Sequence, residues 1–385
     1  MAAVQTGPKV PAVPHSPDVI VIGGGVIGLA IARQLARDGM RLLLLERGRC
    51  GSESSWAGAG ILSPCNPHRN DVLHRFTQRS LALYPAFSAA LTEESGIDIE
   101  YERCGELRLL FTENALRIAR SEERVMAEQG TPGDRPLLEV HTPEQACGME
   151  PTISRDIMGA ALCRQTAQVR NPRLIEALAK SCLAAGVEIR EGTAVTGIVE
   201  DGGRVLGVST DAGLQAGGAV IVCAGAWSGL LGAHAAALPV HPVKGHIVLL
   251  KTPQRPFTPI ISHGGTYLVP RRDGHVLLGS TEEPEAGYSK RPTSKAAADL
   301  MDAGLSLVPG LAGAAVQAIW TGLRPGTPDN WPYMGAVPGV QGLFAATGHY
   351  RAGITLAPAT AEVMSAILRG APYGMELSRF APGRA

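Results

Sequence analysis

The chain has 385 residues, and its 35 lysine and arginine residues balance 35 aspartate and glutamate residues, so its formal net charge is zero. This balance, with an aromatic content of 4%, argues against a nucleic-acid-binding surface and against a polybasic membrane anchor. The length suffices for two domains or one elaborated domain, and the apolar runs are far shorter than the roughly 20 residues of a membrane span, so we expect a soluble protein.

Seven cysteines are dispersed along the chain without a C-x-x-C pair. This pattern favours neither a zinc site nor a disulfide framework and is typical of the reducing cytosol, so we predict no metal and a cytoplasmic location. Residues 1–16 contain three prolines and no apolar stretch, and we interpret them as a flexible tail rather than a signal peptide.

A glycine-rich turn near the N-terminus is the strongest motif. An apolar run at residues 19–22 precedes GGGVIG, and a helical segment and a second apolar run then end at Glu46. In a β-α-β unit Gly23 would form a tight turn, Gly25 would let backbone N–H groups approach a pyrophosphate, and Gly28 would let the helix pack close to the sheet. Glu46 stands where an acid binds an adenosine ribose, so the sequence predicts a dinucleotide site.

Apolar periodicity and turn residues predict the other elements in chain order. Small residues at 52–62 indicate a loop and a helix start. Helices are predicted over residues 75–95, 114–129, 172–185, 294–307 and 354–368. Strands are predicted over residues 105–111, 187–190, 245–250, 266–270, 275–279 and 343–349, with a β-meander over residues 194–222. The runs between residues 245 and 279 suggest an antiparallel sheet in a second domain.

Six further segments narrow the family. They are SSWAGAGIL (residues 54–62), VIVCAGAWSG (220–229), PVKGHIVLL (242–250), YLVPRRDGHVLLGSTEE (267–283), WTGLRPGTPDNWPYMG (320–335) and GHYRAGITLAPATAEVMS (348–365). Together with the N-terminal motif they resemble the D-amino-acid oxidase superfamily of FAD-dependent amine oxidoreductases, most closely its glycine oxidase branch, which belongs to thiamine biosynthesis. The resemblance covers residues 18–369.

The resemblance implies an α/β fold: a glutathione-reductase-type, Rossmann-like FAD-binding domain with an inserted α+β substrate domain built on an antiparallel sheet. Residues 17–99, 155–233 and 322–385 would form the FAD-binding domain, and residues 100–154 and 234–321 the substrate domain. Relatives suggest a homotetramer, by analogy alone. No cysteine follows Cys223 to form the covalent flavin link of the sarcosine oxidase relatives, so we predict non-covalent FAD.

The resemblance also implies which residues bind the FAD. Val26 and Ile27 would contact the pyrophosphate through their backbone, and Glu46 and Arg47 would frame the ribose. Val195 would receive the adenine through its backbone, with an ordinary core valine as the alternative. The ribityl and flavin region would be lined by Ser54, Ser55, Ala59, Gly60 and Ile61. The flavin edge would face a return loop and helix start formed by His349, Tyr350, Arg351, Ala352, Gly353, Ile354 and Thr355. Backbone N–H groups there would stabilise the negative charge of a reduced flavin.

Arg324 is the strongest candidate for substrate binding. It lies between an apolar strand and a Pro-Gly turn, where a charge is costly unless it is paired, and its guanidinium fork fits the carboxylate of an α-amino acid. A structural ion pair is the alternative. By resemblance Tyr267 would donate a second hydrogen bond to that carboxylate, unless it is only a half-buried strand tyrosine, and Arg351 would shape the pocket. His349 is a weaker candidate for a base, because hydride transfer from an amine needs no strong base.

Two positions qualify the resemblance. Glu282 falls near the expected pocket, where some members have an apolar residue. It would attract a substrate ammonium group, repel acidic side chains, or be a solvated surface carboxylate. Gly265 removes side-chain bulk at the same pocket, so both positions leave substrate size open. For Lys244 we favour a surface lysine over a position near the flavin.

The resemblance implies an enzyme that deaminates glycine and other small amines, such as sarcosine and small D-amino acids, by hydride transfer to flavin N5. The imine would be hydrolysed to a keto acid and ammonia, and O2 would be reduced to hydrogen peroxide. The alternative is a D-amino-acid or amine dehydrogenase that passes electrons to a quinone or another carrier. An FAD-binding subunit without activity would need neither Arg324 nor Tyr267, and an NAD-only dehydrogenase explains neither residues 54–62 nor the return loop.

Overall fold

The computed structural model describes residues 16–64, 71–129, 137–232 and 237–384. Cys65 and residues 1–15 of the predicted tail lie outside this part of the chain. Within it, no helix is both long and apolar enough to cross a membrane. Among the same residues, no group of three or more histidine, cysteine or acidic side chains is placed to hold a metal ion, and the six cysteines described carry free thiols.

Nineteen strands and eight α-helices form the described part of the chain. The strands are β1 (Val19–Ile22), β2 (Leu42–Leu45), β3 (Ile61–Leu62), β4 (Glu106–Leu110), β5 (Leu138–His141), β6 (Gly159–Cys163), β7 (Ala167–Gln168), β8 (Glu188–Arg190), β9 (Val195–Asp201), β10 (Arg204–Thr210), β11 (Gly213–Ala216), β12 (Ala219–Val222), β13 (His241–Lys251), β14 (Ile260–His263), β15 (Thr266–Pro270), β16 (His275–Gly279), β17 (Ala315–Gly326), β18 (Tyr333–Ala336) and β19 (Leu343–Thr347). The helices are α1 (Val26–Arg37), α2 (Ser54–Ala57), α3 (Val72–Ser95), α4 (Glu113–Gln129), α5 (Pro143–Met149), α6 (Asn171–Ala184), α7 (Ser294–Leu307) and α8 (Gly353–Leu368).

The first large sheet has six strands in the order β18-β19-β12-β1-β2-β8, and all but the edge strand β18 run parallel. Every residue of β1 and β2 is apolar and buried, as expected for a sheet covered on both faces. On one face Val21 and Leu44 pack against α1, α3, α6 and α8. On the other face Ile22 and Leu43 pack against Val208 of the small β9-β10-β11 sheet. This is the Rossmann-like arrangement, which binds ligands at the carboxyl ends of its parallel strands.

The second large sheet has eight strands in the order β17-β13-β16-β15-β14-β4-β6-β5, and only β14 and β4 pair in parallel. Because side chains alternate along a strand, the sheet has two distinct faces. One face buries Val248 against Leu300 of α7. The other packs Ile247 and Tyr267 against Ala59, in the loop that follows α2. The second sheet therefore meets the first half of the molecule at this loop.

The predicted fold class is confirmed. The structure gives α7, β15 and β16 the predicted bounds. Helix α3 begins earlier than predicted, at Val72, because the Asp71 side chain accepts a hydrogen bond from the N–H of His74 and caps the helix. The predicted meander is wrong at its last strand. β12 leaves β9 to β11 and lies between β1 and β19, where its buried apolar residues are covered on both faces.

The division into domains stays a prediction, and two strands do not follow the predicted boundaries. The sequence predicts residues 155–233 in the FAD-binding domain, but β6 pairs with β4 and β5 in the eight-stranded sheet. β17 runs without interruption across the predicted boundary at residue 322, because it pairs with β13 along its length.

Candidate functional site

The glycine turn after β1 lies at the carboxyl edge of the first sheet. Gly23 has a φ of 106°, and a Cβ there would lie 2.5 Å from the carbonyl oxygen of Cys223. A Cβ at Gly28 would lie 2.0 Å from the carbonyl oxygen of Gly23, so only glycine lets α1 approach the turn this closely. Gly25 is the N-cap of α1 and has no side chain to fill the turn. This cradle fits the pyrophosphate of a dinucleotide, which the helix N-terminus would attract.

Glu46, at the end of β2, braces the same turn. Its buried carboxylate accepts hydrogen bonds from the N–H groups of Gly24 at 2.7 Å and Gly48 at 2.8 Å. Each oxygen has further acceptor capacity for a ribose hydroxyl. The N–H of Thr193 donates to the Glu46 carbonyl at 2.9 Å, which brings the start of β9 at Val195 to this edge.

The residues on either side of this turn differ in exposure. Ile27 is buried in the core between the first sheet and its helices. Arg47 is partly exposed, pairs with Glu53 at 3.0 Å, and lies 3.7 Å from the centre of the Trp227 ring. Arg47 therefore stands at the rim of the predicted dinucleotide site.

Helix α2 connects the glycine turn to the second sheet. The Ser55 Oγ accepts a hydrogen bond from the N–H of Val26 at 3.0 Å. The Ser54 Oγ donates to the carbonyl oxygen of Leu323 in β17 at 2.5 Å. Consecutive hydroxyls of one short helix thus bridge the start of α1 and the strand that carries Arg324.

The loop after α2 is held through its carbonyl groups. The Ala59 carbonyl accepts a hydrogen bond from the Arg271 Nη2 at 2.8 Å, and the Ile61 carbonyl accepts one from Thr355 Oγ1 at 3.3 Å. Burial lowers the pKa of Arg271 to about 10. Gly60 has a φ of 71°, and its carbonyl accepts a backbone hydrogen bond from the residue after β7 at 2.9 Å. These bonds fix the loop between the two large sheets and α8.

The return loop after β19 reaches the same place. His349 is buried, its Nε2 shares a hydrogen bond with Thr360 Oγ1 at 3.1 Å, and burial lowers its pKa to about 3. An imidazole with so low a pKa is a weak base, which argues against a catalytic base at this position. The N–H of Tyr350 donates to the Pro325 carbonyl at 3.0 Å, so the loop is fastened to the end of β17.

Helix α8 begins with Gly353, Ile354 and Thr355 after Ala352 as its N-cap. N–H groups in a first helical turn lack carbonyl partners inside the helix, so this turn offers donors and a positive dipole end to an anionic group.

Helix α3 fixes that turn from behind. Pro358, inside α8, has no N–H, so the carbonyl of Ile354 lacks its helical donor. The Tyr84 hydroxyl, fully buried, donates to this carbonyl at 2.5 Å. One turn earlier in α3, Ser80 Oγ donates to the Thr355 carbonyl at 2.7 Å. Two α3 side chains thus complete the hydrogen bonding of the α8 start.

Arg324 of β17 and Tyr267 of β15 lie on one face of the second sheet, and two glycines make room for them. A Cβ at Gly245 would lie 2.4 Å from both Nη atoms of Arg324. A Cβ at Gly279 would lie 2.8 Å from the Tyr267 Oη. Neighbouring strands therefore leave space for a guanidinium and a phenol to lie flat against the backbone.

The hydrogen-bond acceptors of Arg324 are neutral. Its Nη1 donates to the Thr281 carbonyl at 3.2 Å and its Nη2 to Ser280 Oγ at 2.7 Å. Within the described part of the chain Arg324 forms no ion pair. Burial lowers its pKa, and nearby Tyr267 opposes that effect. Arg324 is half-buried, and a cation withdrawn from water is costly unless it is paired, so this geometry favours an external carboxylate over the structural ion pair.

Arg351 and Glu282 form an ion pair at the mouth of this region, with side chains 55% and 45% exposed. A Cβ at Gly265 would meet no atom within 4 Å, so that side of the pocket is open. The prediction that Lys244 is a surface lysine is wrong. Lys244 lies within β13, its side chain is 6% exposed, and its Nζ pairs with the Glu283 carboxylate at 2.7 Å.

Sequence reasoning missed the residues that hold these groups in place. They are Ser80, Tyr84, Arg271, Ser280 and Thr281. One signal was available, because Pro358 inside an apolar helix implies a carbonyl that needs another donor. The others act through contacts between distant segments and carry no local pattern.

Comparison with known proteins identifies the family. The chain matches the DAO family, described as FAD dependent oxidoreductase, over residues 18–367. Glycine oxidase of Pseudomonas aeruginosa is 40% identical over 369 residues, which cover 94% of this chain and 98% of that protein. Glycine oxidase of Bacillus subtilis is 32% identical over 356 residues, which cover 91% and 92%. The crystal structure of glycine oxidase from Geobacillus kaustophilus has a TM-score of 0.91 at 33% identity and covers 96% of this chain and 99% of that chain. The chain therefore belongs to the DAO family of FAD-dependent oxidoreductases and is an FAD-dependent oxidase.

Proposed function

We propose that the protein oxidatively deaminates glycine and other small amines, such as sarcosine and small D-amino acids. The observation that carries this proposal is Arg324, a half-buried cation whose acceptors among the described residues are two neutral oxygens. Such a group is matched by the carboxylate of an amino acid, which it can bind through two parallel hydrogen bonds.

The residues around Arg324 would position the substrate. Tyr267, beside the guanidinium, would donate a hydrogen bond to the same carboxylate. With the carboxylate fixed, the Cα–H bond takes one orientation, and this pre-orientation supplies much of the rate. Bound FAD supplies the redox chemistry: it accepts a hydride from the amine and passes electrons to O2, which gives hydrogen peroxide.

One feature supports electrostatic assistance, and a second argues against a histidine base. Free N–H groups and the positive end of the helix dipole lie at the N-terminus of α8. They would stabilise negative charge that develops on a group bound there. His349 is neutral and hydrogen-bonded to Thr360, which is consistent with a substrate that enters as the free amine and needs no histidine base.

Several finer assignments belong to the same proposal and rest on resemblance: non-covalent FAD, a homotetramer, a cytoplasmic location and a step in thiamine biosynthesis. Release of all flavin on denaturation and the mass of the assembly in solution test the first two directly. Covalent flavin or a monomer would contradict them.

The activity is tested with the purified yellow protein and a panel of glycine, sarcosine, D-alanine and D-proline. We expect hydrogen peroxide in air, with glycine among the best substrates. Flavin bleaching without air, but no peroxide in air, would instead indicate the dehydrogenase alternative. No bleaching by any of these amines would overturn the proposed substrate class.

A further inference from the structure

A four-residue segment after β16, residues 280–283, connects the charges around the pocket. Ser280 and Thr281 accept the two hydrogen bonds of Arg324, as described above. Glu282 pairs with Arg351 from the return loop. The next residue, Glu283, anchors the segment on the opposite side of the sheet. One short segment therefore touches both guanidinium groups of the predicted pocket.

Glu283 is anchored by several contacts, and its partner Lys244 is buried. The Glu283 carboxylate pairs with Lys244 Nζ at 2.7 Å and with His246 Nδ1 at 2.9 Å, and it accepts a hydrogen bond from Thr281 Oγ1 at 2.8 Å. The Glu283 N–H donates to the Lys244 carbonyl at 2.9 Å, and the Lys244 N–H donates to the Glu283 carbonyl at 3.2 Å. Burial opposes ionisation of Glu283, but the hydrogen bonds from Lys244 and Thr281 prevail and lower its pKa. Because its neighbour is fixed, Glu282 is held beside Arg351.

The three charged side chains around the predicted pocket together carry one net positive charge rather than two. Arg324 and Arg351 each carry a positive charge, and Glu282 carries a negative one. The two exposed groups act on the half-buried Arg324, since Arg351 lowers and Glu282 raises its pKa. A single net positive charge matches a substrate with a single carboxylate.

We propose that Glu282 determines substrate specificity: it neutralises Arg351, so that the pocket binds amines with one carboxylate and discriminates against those with a second. This inference rests on the proposed function, because it takes Arg324 as the carboxylate site. It does not assign Glu282 to ammonium binding, because the partly exposed carboxylate is already paired with a guanidinium.

The variant that tests this is Glu282→Gln, which keeps the shape and removes the charge. Exposed ion pairs contribute little to stability, so the fold is expected to persist. The probes are methoxyacetate, an ether with one carboxylate, and diglycolate, an ether with two. Neither is an amine, so their dissociation constants are read at equilibrium from the flavin absorbance of the FAD-loaded protein, without turnover.

In Glu282→Gln we expect diglycolate to bind roughly fivefold more tightly, the effect of one half-exposed charge interaction, and methoxyacetate to change less than twofold. Glu282→Asp, which retains the charge, should resemble the parent protein. The double variant Glu282→Gln/Arg351→Gln should bind diglycolate no more tightly than the parent protein, because the Arg351 guanidinium that Glu282 neutralised is also removed.

An equal change for both ligands, or a gain that persists in the double variant, would overturn the inference. Failure of the proposed function has a different signature: the parent protein would bind these carboxylates but oxidise none of the amines. If neither carboxylate perturbed the flavin of the parent protein, the carboxylate site at Arg324 would itself be wrong, and the inference would fall with it.

Discussion

The contact between α3 and α8 makes a quantitative prediction. Pro358 leaves the carbonyl of Ile354 without its helical donor, and the buried Tyr84 hydroxyl supplies one at 2.5 Å. Tyr84→Phe removes that donor and keeps the ring. An unsatisfied buried acceptor costs about 1–3 kcal/mol, so we expect the free energy of unfolding to fall by about 2 kcal/mol.

A second substitution isolates this cause. Pro358→Ala restores an N–H that can donate to the same carbonyl, so in that background Tyr84→Phe should cost less than about 0.5 kcal/mol. The coupling energy of the double-mutant cycle is then about 1.5 kcal/mol. Tyr101→Phe is the matched control, since its ring stacks on Tyr84 at 5.9 Å and its hydroxyl has no hydrogen bond among the described residues.

The assay is urea unfolding of the four proteins of the cycle and the control, all loaded with FAD and compared at a common m value. The FAD dissociation constant is measured in parallel, because the same carbonyl lies in the first turn of α8. Equal losses of unfolding free energy on Tyr84→Phe with and without Pro358 would refute the reasoning. The effect of the hydroxyl would then not come from the carbonyl that Pro358 leaves without a helical donor.

Three further predictions concern buried groups. Because burial lowers the pKa of His349 to about 3, its contribution to stability is present above the unfolded value near 6.5 and is lost as pH falls from there towards 3. His349→Gln should therefore reduce the loss of unfolding free energy between pH 7.5 and 5 by about 2 kcal/mol, and an unchanged pH dependence would contradict this. Gly245→Ala places a Cβ 2.4 Å from the guanidinium of Arg324, so it should raise the KM for glycine roughly tenfold or more and leave FAD binding unchanged. In the control Gly197→Ala the Cβ meets no atom within 4 Å, so both the KM and FAD binding should stay unchanged. Gly28→Ala places a Cβ 2.0 Å from a carbonyl of the turn and should weaken FAD binding by about tenfold or more; a dissociation constant equal to that of the parent protein would show that α1 can move away without cost.

The parts of the fold that the sequence predicts are those specified by local sequence patterns. The runs at β1 and β2 are apolar at every position, and glycine is required at residues 23 and 28, where a Cβ would lie 2.5 Å and 2.0 Å from a carbonyl oxygen. Helix α7 and strands β15 and β16 are bounded by turn residues and coincide with their predictions. β17 is different, because most of its residues are exposed or half-buried and its length is set by pairing with β13.

The site residues likewise include some that local sequence patterns predict and others that they do not. Arg324 could be chosen as a candidate because a guanidinium next to apolar residues needs a partner. The structure places it inside β17 rather than after the strand, and its acceptors among the described residues are neutral. The burial of Lys244 is not predictable from its neighbours, since its partner Glu283 reaches it through a bridge between two separate segments. Nor is the role of Tyr84, because it depends on a proline far along the chain.

The central claim is that Arg324 binds the carboxylate of an amine substrate. The most direct test compares anaerobic flavin reduction by glycine and by methylamine, which lacks the carboxylate, in the parent protein and in Arg324→Ala. We expect the second-order rate constant with glycine to fall by about 100-fold or more in the variant, equivalent to about 3 kcal/mol for a charge-assisted pair, while the slow reaction with methylamine stays unchanged. A variant that still prefers glycine over methylamine as strongly as the parent protein would contradict the account.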